Sequence, residues 1–473
     1  MRITNQMTTS RMLINITRNM AAVDKFYQQL TTGKKIQFPS EGPIIASRAL
    51  KFRANVAETE SFLSNVKQGT SWMEITEKAM GNITEALTSI KELCAQGASD
   101  NFNIDNKQTF AEQIRGLLAQ METEVNVTYT GRYVFSGYRT DKPPTLTADQ
   151  PGSDYSITQY LSSGDVEKAR LWTRDEATLE VSVSETYRLK LPYTGVTDLT
   201  ELRLLDAAGN PAGVIPLETL PTAKGDPRAY NPAGDKAYYI EDTGEIILGE
   251  DARNAVYANA DGSIRLDYRK TGLKAGELNP EIYFDCADNV SGKTYRAANQ
   301  DIYYEFGVNT RVPINTKAET ALSAAAYGEL RSMLAVVDGV VPSTEAELRE
   351  YFAAQGYVGD GLTEKIKERQ TAERQQFSGV LHDAFSNMLG IVEKRSSQVS
   401  KEYTRLGSGM NRLSLIQNRL EQDALSYESL MSENEDVDML QATMDLNAAN
   451  YVYQMALKAG GSISQTSLAD FIR

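Results

Sequence analysis

The chain has 473 residues, 41% of them hydrophobic and 24% charged, with a formal net charge of −14. That charge argues against a basic face for nucleic acid, and the lack of any run of about twenty apolar residues argues against a membrane-spanning helix. Two distant cysteines, Cys94 and Cys286, read as free buried thiols, and one histidine, His382, set among Leu381, Phe385 and Met388, reads as structural.

The polar opening MRITNQMTTSR lacks the apolar core of a cleavable signal. Beyond it, Leu13, Ile16, Met20, Val23, Tyr27 and Leu30 are spaced by threes and fours. So narrow a stripe predicts a coiled-coil seam, since a helix lying on a globular core needs a broader face. GKKIQFPSEGP then breaks the helix with Gly33, Pro39, Gly42 and Pro43. A second seam runs through Phe52, Val66, Met73, Met80, Leu87 and Cys94, separated by sevens or multiples of seven. Its companions stand four residues on at first (Val56, Leu63) and later at Ile83 and Ile90, three on, a one-residue slip near Gly69. A helix from about Pro43 to Ala95 is predicted, roughly 75–80 Å long. GASDNFNID turns the chain into a third helix carrying Phe110, Ile114, Leu117 and Met121.

GRYVFSG, residues 131–137, changes the pattern. Gly131 is expected to end the third helix in the left-handed conformation, the aromatic run to start a strand, and DKPP to stop the helix resuming. The helix-to-β junction is therefore placed at Gly131, Tyr133, Phe135 and Gly137. Alternation follows in ATLEVSVSETYRLKL, AYYIEDTGEIIL, SIRLDYR and IYYEFGV, with EDTGEI and NADGSI reading as hairpin turns. Helix returns near residue 316, and Thr344 with Glu347 offers a capping box. From about Thr363 a very long helix places Phe385, Val392, Val399, Leu406, Leu413, Leu420 and Tyr427 at strict sevens. Gly407 and Gly409 interrupt it, each costing about 1 kcal/mol against Ala. A last apolar-striped helix spans roughly 437–457.

The chain thus reads as mainly α with an inserted β-rich domain, both chain ends forming a long antiparallel coiled-coil helical rod. The divisions are 1–42 with 433–473 (terminal coiled coil), 43–140 with 318–432 (long helices) and 141–317 (β-rich). The rod-core seam is assigned to Val66, Met73, Met80, Leu87, Leu406, Leu413 and Leu420. Residues 1–37 carry Arg2, Arg11, Arg18, Lys25, Lys34 and Lys35 against Asp24 alone, whereas residues 430–473 are net acidic. The opposite signs favour pairing of the two ends. With no broad face to bury, both terminal segments are expected to stay unfolded until assembly.

No Walker motif, HExxH or Gly-x-Ser-x-Gly elbow occurs, and GSGMNR lies within heptads with no strand before it. SENEDVD at 432–438 lacks EF-hand spacing and reads as a solvated acidic turn. No catalytic, metal or cofactor residue is assigned.

Taken in order, MRITNQM, LTTGKKIQFPSEGPIIASRALKFR, GRYVFSGYRTDKPP, RLGSGMNRLSLIQNRLE and TSLADFI resemble the flagellin superfamily, and within it the hook-associated subunits. The resemblance covers roughly 1–142 and 370–473; Glu41-Gly42-Pro43 and the NRLS at 411–414 depart from the usual pattern. It implies a structural subunit of the bacterial flagellum, exported by the flagellar type III route and secreted to the hook–filament junction. The implied partners are further copies of the chain, hook-associated protein 1, flagellin and a flagellar export chaperone, with no nucleic acid and no membrane insertion. It places the assembly interface at Leu13, Ile16, Met20, Val23, Tyr27, Leu30, Met444, Tyr451, Leu468 and Phe471. A flagellin-like filament subunit is the close alternative, and a carbohydrate-active or adhesive β domain on a helical stalk the distant one.

Overall fold

The structure, a computed structural model, describes residues 5–175, 177–223, 228–307 and 309–469. Helix α1 (Asn5–Thr32) stops where Gly33 turns left-handed at φ +70°. A short 3-10 turn at Pro39–Glu41 follows, and Pro43 opens α2 (Pro43–Gly97) with the φ that a first helical residue needs. Helix α3 (Ile104–Val125) begins on Asn103, whose side chain accepts the Asn106 N–H at 2.8 Å.

The junction differs from expectation. Helix α3 ends at Val125, and Thr130 (φ +49°) with Gly131 (φ +79°) forms the turn of a small hairpin, β1 (Thr128–Tyr129) and β2 (Arg132–Tyr133). Two successive left-handed residues make the twist that a two-residue hairpin requires, so Gly131 turns a hairpin and caps no helix.

The β-rich region continues with β3 (Gln150–Leu161), β4 (Glu167–Arg174), β5 (Val181–Lys190), β6 (Glu201–Leu205), β7 (Pro211–Leu220), β8 (Ala237–Ile240) and β9 (Glu245–Leu248). After α4 (Glu250–Ala258) come β10 (Ser263–Leu273), α5 (Pro280–Tyr283), β11 (Asp285–Asp288), β12 (Lys293–Tyr295), β13 (Tyr303–Glu305) and β14 (Arg311–Pro313). Ten strands form one sheet in the order β12-β11-β3-β10-β6-β7-β8-β9-β5-β4. Its long antiparallel pair is β3 with β10, where alternate residues Ile264, Leu266 and Tyr268 turn inward. Strand β7 pairs antiparallel with β6 through residues 211–216 and parallel with β8 through 217–220. EDTGEI does form the β8–β9 turn, with Gly244 at φ +72°. NADGSI forms no hairpin: it leads from α4 into β10, because residues 250–258 are helical. Cys94 and Cys286 are free and buried, and burial pushes both thiols up to about 12.

The last helices are α6 (Ala318–Ala321), α7 (Ala324–Gly339), α8 (Glu345–Ala354), α9 (Gly359–Glu435) and α10 (Met439–Ala469). The capping box on α8 is complete, Thr344 N–H donating to Glu347 at 2.8 Å and Glu347 N–H to Thr344 at 3.3 Å.

Contacts group the chain into two compact units, residues 1–67, 305–310 and 413–473, and residues 68–304 and 311–412. Within the second unit α2 and α9 run antiparallel. A Cβ on Gly409 would stand 2.7 Å from Met73, one on Gly81 3.9 Å from Tyr403, and one on Gly97 2.3 Å from the Phe385 ring, while Lys91 pairs with Glu393 at 3.0 Å. Each step up one helix is matched by a step down the other. Helix α9 also covers the sheet's edge strand β4: the Asn387 side chain donates to the Lys168 carbonyl at 2.8 Å, Arg170 pairs with Asp383 at 3.2 Å, and Trp172 meets Phe377 edge-on at 5.1 Å.

These contacts separate the glycines. Gly407 has nothing within 4 Å of its would-be Cβ, so Gly407→Ala is expected to stabilise the protein by about 0.5–1 kcal/mol. Gly97→Ala drives a methyl into the fully buried Phe385 ring and is expected to cost roughly 1–3 kcal/mol. Urea unfolding of both variants checks the opposite signs.

Candidate assembly surface

In the first unit, α1 and α10 pack along each other antiparallel. A Cβ on Gly460 would stand 2.5 Å from Met12 and 3.5 Å from Ile16, so a bare backbone there lets the two helices approach. Both segments were expected to be unfolded alone; in the structure they are paired helices. The sequence shows the heptads but hides this close approach.

The pairing covers only part of the seam. Ile16, Val23 and Leu30 are half-buried, whereas Leu13 is 56%, Met20 59% and Tyr27 62% exposed. Each trio repeats by sevens, so the stripe on α1 divides lengthwise into a covered line and an open one. Helix α10 behaves alike, with Met444 at 59% and Tyr451 at 60% exposure, beside exposed Leu440 and Met455. A single partner helix covers one flank of an a/d stripe and leaves the other bare. Contiguous apolar surface of this kind marks an interaction site. The Leu468 side chain and Phe471 lie outside the described residues.

Where α1 and α10 meet the long helices, the chain is tied to itself. The Lys35 N–H donates to the Glu435 carbonyl at 2.8 Å and the Val437 N–H to the Gly33 carbonyl at 2.9 Å, a two-bond antiparallel bridge. Around it Lys34 pairs with Asp436 at 2.6 Å and with Glu435 at 3.2 Å, and Arg53 reaches Glu435 at 2.7 Å. SENEDVD is therefore a clasp, with Glu435 buried inside it. The charge complement of the two ends is realised here. Sequence reasoning missed Arg53, Glu435 and Asp436 as a site, although the sign asymmetry pointed to them.

Arg53 and Lys34 hold the Glu435 carboxyl below its ordinary range, Lys34 and Ser432 do the same for Asp436, and Asp436 raises Lys34. Depressed carboxylates stabilise above their unfolded range and lose that contribution as pH falls; a raised lysine loses its own only at alkaline pH. The clasp is thus expected to hold at neutral pH and loosen below about pH 4. Amide exchange at Lys35 and Val437, faster at acid pH and in Lys34→Met than at pH 7 in the parent, is the check.

The other assigned residues lie apart from this surface. Val66, Met73, Met80, Leu87, Leu406, Leu413 and Leu420 are all buried. At the junction Phe135 and Gly137 are buried, the latter at φ +59° against Ala298, Tyr133 is half-buried, and Gly131 is exposed at its hairpin turn. Among the described residues no group of His, Cys, Asp and Glu could hold a metal ion, and no helix is long and apolar enough to cross a membrane.

Residues 3–140 match the bacterial flagellin N-terminal helical region and residues 389–472 the bacterial flagellin C-terminal helical region. The chain is 28% identical over 166 residues to flagellar hook-associated protein 3 of Salmonella typhimurium, covering 34% of this chain and 52% of that protein. It is 23% identical over 262 residues to a flagellin of Salmonella rubislaw, covering 54% and 50%. The chain spans about half the length of the curated relatives it matches. A crystal structure of flagellar hook-associated protein 3 from Legionella pneumophila is 13% identical over 81% of this chain and 97% of that one, with a TM-score of 0.32.

Proposed function

With helical regions of the bacterial flagellin family at both of its ends, we propose that this chain is a structural subunit of the bacterial flagellum that joins hook to filament. It assembles with further copies of itself through α1 and α10, meeting hook-associated protein 1 on one side and flagellin on the other. A flagellar export chaperone holds the C-terminal helix before secretion, and the coiled-coil packing of the long helices belongs to the same reading. The carrying observation is the open heptad line Leu13, Met20 and Tyr27 beside Met444 and Tyr451, which a neighbouring subunit would cover.

Because Leu13 and Met20 are exposed in the single chain, Leu13→Asp with Met20→Asp is expected to change its own stability by only about 0.5 kcal/mol. In the assembly the same carboxylates would enter a dry seam, costing several kcal/mol per subunit. The variant should be secreted and helical by circular dichroism, yet leave cells without filaments. Normal filaments from a cell carrying only this variant would overturn the reading. The longer stretch matched by flagellin favours a filament subunit as a second reading. Purified protein that polymerises alone supports that reading; protein that adds only to hook ends supports the junction.

A further inference from the structure

A cavity of about 610 Å³ opens between β4, the β8–β9 turn and α7, all within the sheet-bearing unit. Leu171, Ala335 and Val336 give it apolar walls, and Tyr230 rests on the buried cluster formed by Leu171, Ile240 and Ile247. Two aromatic side chains bring polar tips to it. Among the described residues neither the Trp172 indole N–H nor the Tyr230 hydroxyl has a hydrogen-bond partner. Aromatic groups of this kind, apolar in body and unsatisfied at the tip, are what ligand pockets of this size present.

The charges narrow the class of guest. Asp242, Glu245, Asp338 and Glu347 line the cavity, with Arg174 the cation among its lining residues. That balance repels an anion. Three of the four acids already hold a guanidinium: Glu245 that of Arg188, Asp338 that of Arg115, and Glu347 that of Arg174 at 3.7 Å. Little net field is left to attract a cation. A wholly apolar guest would strip water from Asp242, Tyr230 and the indole N–H without replacing those hydrogen bonds. A neutral molecule with hydroxyls to donate and one apolar face meets every requirement.

The geometry points to this cavity as a binding site for a neutral saccharide residue, its apolar face on Trp172 and its hydroxyls bonded to Asp242 and Tyr230. The site binds and does not cleave. Glycoside hydrolysis needs a carboxylic acid with a proton to give. Against the cost of burial, Arg188 and Lys190 hold the Glu245 carboxyl below its ordinary range, so it has none. The assignment goes beyond the assembly role, which uses α1 and α10.

Trp172 and Trp72 are the chain's two tryptophans. Trp72→Phe therefore leaves Trp172 as the sole indole, and its fluorescence reports on the cavity; calorimetry on the parent chain gives a second readout free of that substitution. The probes are glucose, galactose, N-acetylglucosamine and maltose, with glucuronic acid, glucosamine and an apolar dye as counter-probes. At least one neutral sugar is expected to saturate with a Kd of about 1 mM or tighter. Tyr230→Phe should weaken it about tenfold, one hydrogen bond's worth. Gly339→Leu, whose Cβ would meet Trp172 at an ordinary 3.6 Å, should fill the cavity and abolish binding with the circular-dichroism spectrum unchanged. The assignment falls if no neutral sugar saturates by about 100 mM, if a counter-probe binds more tightly, or if Gly339→Leu binds like the parent. Filament assembly by each variant, read separately, is expected to be normal, so failure here leaves the assembly reading standing.

Discussion

Replacing Arg188 by Leu is expected to cost the sheet-bearing unit about 3–5 kcal/mol. Arg188 is 1% exposed on β5 and binds three groups at once: Glu245 on β9, Glu167 on β4 at 3.2 Å, and the Ser332 hydroxyl of α7 at 3.2 Å. Ser332 in turn donates to Glu245 at 2.7 Å, and Thr243 donates to its other oxygen at 3.1 Å. Removing the guanidinium leaves Glu245, 2% exposed, as a carboxylate with only two hydroxyls and its neighbour Lys190 to answer it. An orphaned buried charge accounts for the size of the effect, because an intact buried pair is often worth little against an apolar replacement. Arg188→Leu with Glu245→Leu and Glu167→Gln should therefore recover much of the loss. Urea unfolding followed by Trp172 fluorescence compares the single and triple variants. If both are equally unstable, the triad holds the strands by shape, and charge is secondary.

The second large effect depends on pH. Glu329 of α7 is buried, and that burial, with Glu167 and Asp165 close by, pushes its carboxyl up to about 8 despite Arg395 and Arg188. The unfolded chain releases this proton near pH 4.5, so between pH 4.5 and 8 the folded state binds more protons and stability falls as pH rises. Lys190 acts oppositely: burial lowers it to about 8, so the unfolded chain holds the extra proton between pH 8 and 10.5 and stability rises there. These two groups together place a trough near pH 8. Glu329→Gln should abolish the descending limb and stabilise the protein at pH 8 by roughly 2–4 kcal/mol. Thermal unfolding across pH 5–9 tests this, and a parent curve that is flat or rising over that range would contradict it.

The helices were legible because one rule writes them. Residues seven apart define α2 to within two residues of its observed end, and Thr344 with Glu347 announces the start of α8. The sheet was legible only where one face meets water, as in β5, β8, β9 and β10. Strand β4, EKARLWTR, hides because its charged residues meet α9, as Arg170 does Asp383. Strand β7 hides because Pro211 and Pro216 read as loop, and its change of partner from β6 to β8 is a fact about distant residues. The assembly surface was half legible. Spacing identifies Leu13, Ile16, Met20 and Val23 as one stripe, but which line α10 covers depends on the approach at Gly460, and no periodicity records that.

The clasp also decides how force passes through the chain ends. Without it, tension on α1 would reach α2 through residues 33–42 alone, and tension on α10 would reach α9 through residues 436–438 alone. The bridge between Lys34 and Asp436 straps these connections together, so a pull on either terminal helix is shared by two covalent paths. Neither connection can then stretch or twist by itself. A subunit held at its ends in a rotating structure gains from that arrangement, since a torque applied to one helix is met by two strands of the same rope.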